Sequence, residues 1–246
     1  GRYGAPDPDR VRWAGKKAAT MYPERGVLCL ENTHNAAGGT VMTAAQTDEL
    51  ASIGRDCGLA VHLDGARIFN AAVALGVEAR ELTRSVDTVS FCLSKGLSAP
   101  VGSVLVGSKA FIERAGKVRR SFGAAMRQAG VIAAPGLVAL RSMIGRLAED
   151  HDHARVLAEA LAQVPGLHVD LRAVQSNIVN VDVKGLGIDA ATFATHLREH
   201  DVRGLPGMGS VVRFVTYRGI TRADIERAIE AVRATVEAKH WAAVKA

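Results

Sequence analysis

The chain has 246 residues, enough for one large domain or for a domain with a smaller appendage. With 48% hydrophobic and 23% charged residues it is balanced as a globular protein rather than a disordered one, and 4% aromatics leaves its core to aliphatic side chains. The net charge of +6 is scattered, with Lys117-Val118-Arg119-Arg120 as the one short basic cluster, which argues against a nucleic-acid surface.

The opening residues 1–9 are rich in Gly, Pro and Asp and read as a loop, not as a natural domain start. An apolar run predicts a strand over 26–30. A helix is expected over 47–58, with Thr47 as N-cap and Leu50, Ile53 and Cys57 along one face. A strand over 59–63, a helix over 67–75 and strands over 88–93 and 102–107 follow. This alternation implies a largely parallel sheet covered by helices. From Ser121 to Gln163 the pattern is helical, with an interruption expected at Pro135-Gly136. Strands over 176–182 and 211–216, with helices over 189–200 and 221–239, suit a small α+β domain with an antiparallel sheet. The domain boundary is placed near residue 150, giving a larger domain over 1–150 and a smaller one over 151–246.

Cys29, Cys57 and Cys92 lack CxxC or CxH spacing, so neither a disulfide framework nor a zinc site is expected. Cys29 and Cys92 lie in apolar runs and read as buried free thiols. No apolar run reaches the roughly 18 residues of a membrane helix. No secretory segment opens the chain, and a cytoplasmic location without a membrane partner is expected.

Two segments carry chemistry. His62-Leu-Asp-Gly-Ala-Arg67 sets Asp64 and Arg67 just past one predicted strand, and Ser90-Phe-Cys-Leu-Ser-Lys-Gly96 sets Lys95 just past the next. Ligands of open α/β sheets bind outside the carboxyl ends of the strands. An acid and a lysine on consecutive strand ends would therefore face one site. Pyridoxal phosphate needs that pair: a lysine for the Schiff base and an acid for the pyridine nitrogen. Gly96 is expected to leave room for the cofactor's approach. The alternatives are an Asp serving as a helix N-cap and a solvated Lys in a turn. Asp150-His-Asp-His153 has metal-ligand residue types, but consecutive helical positions point in different directions, and a solvated helix start is expected. His34 and His62 read as packed histidines beside the motifs.

Leu30-Glu-Asn-Thr-His-Asn35 with Gly38-Gly39, His62-Leu-Asp-Gly-Ala-Arg-Ile-Phe-Asn70, Cys92-Leu-Ser-Lys-Gly-Leu97 and Pro100-Val-Gly-Ser103 closely resemble low-specificity L-threonine aldolases. Met126-Arg-Gln-Ala-Gly130, Glu149-Asp-His-Asp152 and Val212-Arg-Phe-Val-Thr216 extend the resemblance in collinear order. It implies the pyridoxal-phosphate-dependent fold type I, an α/β large domain lacking its N-terminal part followed by the small α+β domain. It also implies cleavage of L-threonine or L-allo-threonine to glycine and acetaldehyde, with a second PLP reaction (β-elimination or racemisation) or a non-catalytic truncated fragment as the alternatives. By the same resemblance Lys95 is the Schiff-base lysine and Asp64 the partner of the pyridine nitrogen. Arg67 lies beside the phenolic oxygen of the cofactor and the substrate carboxylate, and Arg213 clamps that carboxylate. Asn35 contacts the cofactor ring. Arg127 either approaches the phosphate, from a neighbouring subunit, or is a solvated or inter-helix Arg. A homodimer or homotetramer is implied.

The sequence also departs from that family. No counterpart is found for the segment that supplies its Gly-Thr phosphate turn and ring-stacking histidine, so the chain reads as a fragment. Met21-Tyr22-Pro23 stands where relatives often have His-Tyr-Pro, and Val215-Thr216-Tyr217 where Val-Thr-His is usual. Met moves no proton and Tyr is a poor base near neutral pH, so water is expected to take the β-hydroxyl proton.

Overall fold

A computed structural model describes residues 1–21, 26–207 and 209–238. The chain divides into two compact units, Gly1–His34 with Val41–Leu147 and Asn35–Thr40 with Ala148–Ala246.

The N-terminal unit opens with α1 (Pro8–Met21). Proline suits a first helical position because its missing N–H would be unpaired there anyway, and the Asp7 side chain accepts the Arg10 amide at 3.0 Å. Exposed Met21 ends it, and Tyr22 and Pro23 lie outside the described residues. Next come β1 (Val27–Glu31), α2 (Ala44–Asp56), β2 (Ala60–Asp64), α3 (Ile68–Leu75), α4 (Ala79–Thr83), β3 (Thr88–Cys92) and β4 (Ser103–Gly107).

Thr47 is not the cap of α2. Thr43 holds that place, because its hydroxyl accepts the Gln46 amide while the Gln46 side chain accepts the Thr43 amide at 2.9 Å. Thr47 is buried one turn inside, its hydroxyl donating to the Thr43 carbonyl.

The sheet order is β1-β2-β3-β4, parallel except for the last pair. Leu30, Val61, Leu63 and Val89 point to one face and pack with Leu50 and Ala51 of α2 and Ile68 and Ala71 of α3. Side chains alternate along a strand, so Cys29, His62, Asp64 and Ser90, which share register, point to the other face. That alternation corrects the expectation for the thiols: Cys29, on edge strand β1, is exposed, and Cys92 is only half-buried.

A second cluster joins Leu93, Leu97 and Ala99, after β3, to Ala139 and Leu147. Helix α5 (Lys109–Ser121) buries no residue. Pro135 does not interrupt α6 (Gly130–Ser142); it forgoes one backbone bond and the helix continues to Ser142. The break comes at residues 143–146 instead.

The C-terminal unit contains α7 (Leu147–Leu161) from Ala148 onward, then β5 (Ile178–Asp182), α8 (Ala190–Arg198), β6 (Leu205–Pro206), β7 (Val211–Val215) and α9 (Arg222–Glu237). Its antiparallel sheet has the order β5-β7-β6. Val179, Val181 and Val212 are fully buried with Phe193 of α8, Leu157 and Leu161 of α7 and Val232 of α9. The start of α7 is not the solvated face expected of it: Asp150 is fully buried and His153 nearly so, because positions three apart share a helix face. The Asp150 carbonyl accepts the hydroxyl of Thr216 at 2.6 Å.

No single helix among the described residues is long and apolar enough to cross a membrane.

Candidate functional site

Asp64 is the last residue of β2 and is exposed. Its backbone carbonyl accepts the Asn32 amide at 2.9 Å, and its carboxylate accepts the Ala66 amide at 2.9 Å. The chain can turn directly after it because position 65 is Gly: a Cβ there would lie 3.1 Å from the Ser90 carbonyl oxygen. Arg67 follows as the half-buried residue before α3, with φ −127° and ψ 35°.

Lys95 lies in the turn after β3 and is exposed. The Ser98 amide donates to its carbonyl at 2.8 Å, and the Ala99 amide to the Leu93 carbonyl at 2.9 Å. Ser98 takes φ 60°, a left-handed conformation unusual for a residue with a Cβ. Gly96 serves packing: a Cβ there would sit 2.8 Å from a Leu147 methyl group and 3.3 Å from Asn70 Oδ1.

β2 and β3 are parallel neighbours with Asp64 paired to Ser90, so Asp64 ends one strand while Arg67 and Lys95 follow the carboxyl ends of adjacent strands. His62, on the face that Asp64 shares, is half-buried; its Nδ1 lies 2.8 Å from Thr88 Oγ1 and its Nε2 3.5 Å from Ser90 Oγ. His34 is 3.6 Å from the carboxylate of Glu31. Arg127 is exposed in the turn between α5 and α6.

Asn35 and Arg213 belong to the C-terminal unit, where Arg213 Nη1 donates to Asn35 Oδ1 at 2.9 Å. Both line a pocket of ≈ 560 Å³ with Gly38, His168, Asn180 and Asp182. Arg213 Nε is buried and has no hydrogen-bond partner among the described residues. The Asp182 carboxyl is held below the usual carboxylate range, first by the Ser210 hydroxyl and then by the Lys184 amide, which donates at 2.9 Å. The lining role of Asn180 and Asp182 was readable in principle: they are the polar alternate positions of an otherwise apolar strand.

An exposed carboxylate and an exposed primary amine at the carboxyl ends of neighbouring parallel strands form the donor set that pyridoxal phosphate takes, and the residues present fit it. The fold agrees. A putative L-allo-threonine aldolase from Listeria monocytogenes superposes with a TM-score of 0.70 at 20% identity, over 84% of this chain and 60% of that one. A PLP-dependent aminotransferase from Streptococcus suis gives a TM-score of 0.74 at 17% identity, over 95% and 61%. The architecture is that of fold type I pyridoxal-phosphate-dependent proteins. Within that class, the chain belongs to the beta-eliminating lyase family, whose sequence pattern matches residues 1–184.

Relatives in sequence include low-specificity L-threonine aldolase 1 of Arabidopsis thaliana, 42% identical over 85% of this chain and 59% of its own length. The low specificity L-threonine aldolase of Escherichia coli is 37% identical over 96% and 65%. The chain thus spans about 60% of the length of the curated relatives it matches.

Proposed function

We propose that the protein is a pyridoxal-phosphate-dependent carbon–carbon lyase that cleaves L-threonine or L-allo-threonine to glycine and acetaldehyde. The observation that carries this reading is the placement of Asp64 and Lys95 at the carboxyl ends of adjacent parallel strands. Relatives named as threonine aldolases support the choice of substrate.

Lys95 would supply the primary amine that holds the cofactor covalently. Asp64 would keep the pyridine nitrogen protonated by its negative charge. When bound, the cofactor draws electrons from the substrate α-carbon and so weakens the Cα–Cβ bond. Arg213 takes the substrate carboxylate, a planar two-oxygen group suited to the guanidinium fork. Arg67 would serve the phenolic oxygen of the cofactor and a substrate carboxylate, and Arg127 would hold the phosphate in a homo-oligomer. Exposed Tyr217 follows Thr216 at the end of β7, and water takes the proton of the β-hydroxyl.

The test is borohydride reduction of the purified protein with added PLP, followed by peptide mapping and an assay for acetaldehyde. The expected result is a label on Lys95, acetaldehyde release from L-threonine, and loss of both in Lys95→Ala. A label retained in Lys95→Ala would overturn the assignment. Pyruvate and ammonia in place of acetaldehyde would make the reaction an elimination.

A further inference from the structure

Asn35 lies 178 residues from Arg213 in the chain, yet the two share a hydrogen bond of 2.9 Å. That bond depends on how Asn35–Thr40 is held. The Gly38 amide closes the turn on the Asn35 carbonyl at 3.2 Å, the Asn180 side chain donates to the Ala36 carbonyl at 3.2 Å, and the Ser176 hydroxyl donates to the Gly39 carbonyl at 2.6 Å.

Two glycines let the turn lie this close. Gly38 and Gly39 have φ of 91° and 76°, and a Cβ on Gly39 would meet Ser176 Oγ at 2.4 Å. The turn is thus fastened to residues around β5, and β5 is the strand paired with β7, which carries Arg213.

Arg213 itself is pointed by its strand. Val212 and Phe214 on either side are buried in the core, so Arg213 projects to the opposite face, where the pocket lies. A long arginine side chain has many rotamers there, and holding one of them costs entropy. A single acceptor on Nη1 restricts the plane of the guanidinium, while the buried Nε keeps a donor that no described residue uses.

We infer that Asn35 is a positioning residue for Arg213, fixing the guanidinium that takes a substrate carboxylate. This rests on the carboxylate role proposed for Arg213, and it moves Asn35 from the cofactor ring to the arginine. Asn35 acts through Arg213: it preorganises the fork, so its removal weakens substrate binding and leaves the bond-breaking step nearly untouched.

The experiment is steady-state kinetics with L-threonine on the PLP-loaded protein, together with calorimetric binding of glycine, for Asn35→Ala, Arg213→Ala and the double variant. Asn35→Ala should raise KM and the glycine Kd by about ten- to a hundredfold, the range of a hydrogen bond to a charged group, with kcat within about threefold. Adding Asn35→Ala to Arg213→Ala should have no further effect. Asn35→Gln, which keeps an amide oxygen, should recover part of the loss. A fall in kcat at unchanged KM, or losses that multiply in the double variant, would overturn the positioning role. Unchanged KM and glycine Kd in Arg213→Ala would instead overturn the carboxylate role of Arg213 itself.

Discussion

The two units of this chain bury their apolar residues differently. In the C-terminal unit, one face of the antiparallel sheet and helices α7, α8 and α9 close over a single cluster around Phe193. Its exposed large apolar side chains, among the described residues, are Leu205 and Tyr217. The N-terminal unit splits its interior into two clusters, leaves α5 without a buried residue, and exposes Trp13, Phe122, Val131 and Val138 at 63% or more. Yet this is the unit that carries Asp64, Arg67 and Lys95. Burial governs how readily a segment opens locally, so stability within this chain is graded, and the less buried part includes helices next to the turn that holds Lys95.

The strongest way to break that contrast is to cut into the better-filled core. Phe193→Ala should destabilise the C-terminal unit by about 3–5 kcal/mol, since it removes a fully buried ring from the centre of the cluster. Peptide-resolved hydrogen exchange should show the loss in α8, β5 and β7. A loss below about 1 kcal/mol would mean that the cluster is less tightly packed than its burial implies.

A gentler test uses acid. Burial holds the imidazole of His151 below its ordinary value of 6.5, while Asp150 and Asp152 pull the other way. Protonation therefore favours the unfolded chain. The contribution of the neutral ring is complete above pH 6.5 and is lost as the pH falls from there through the folded-state value. Acidification from about pH 7 to about pH 5 should weaken the C-terminal unit, and His151→Gln should flatten that slope. An unaltered slope in the variant would place the acid sensitivity in another group.

The smallest effect belongs to α5. Val118 is 53% exposed, and Val118→Ala should change stability by no more than about 0.5 kcal/mol. A larger loss would show that α5 is covered in the working protein.

Strand and helix order, and the placement of Asp64 and Lys95 at the ends of adjacent strands, were legible because they depend on local periodicity and on a rule about strand ends. What escaped depends on contacts that sequence spacing does not express. Thr43 and Thr47 are both plausible caps, and only the reciprocal bonds with Gln46 decide between them. Pro135 signals an end, but a helix can forgo one amide bond when the residues beyond it remain packed, as Ala139 does. Cys29 sits in an apolar run whose second face is open, and the run itself does not say which face is covered. The Asn35–Arg213 bond joins distant stretches of chain, and neither residue has a local pattern pointing to the other.

The membership of Asn35–Thr40 in the C-terminal unit means that the chain crosses between its two units three times, after His34, after Thr40 and after Leu147. No single cut can then separate them cleanly. A fragment begun at Ala148 would leave Ser176, Asn180 and Arg213 without the turn they bond, so dissecting the protein calls for grafting that six-residue loop onto the fragment.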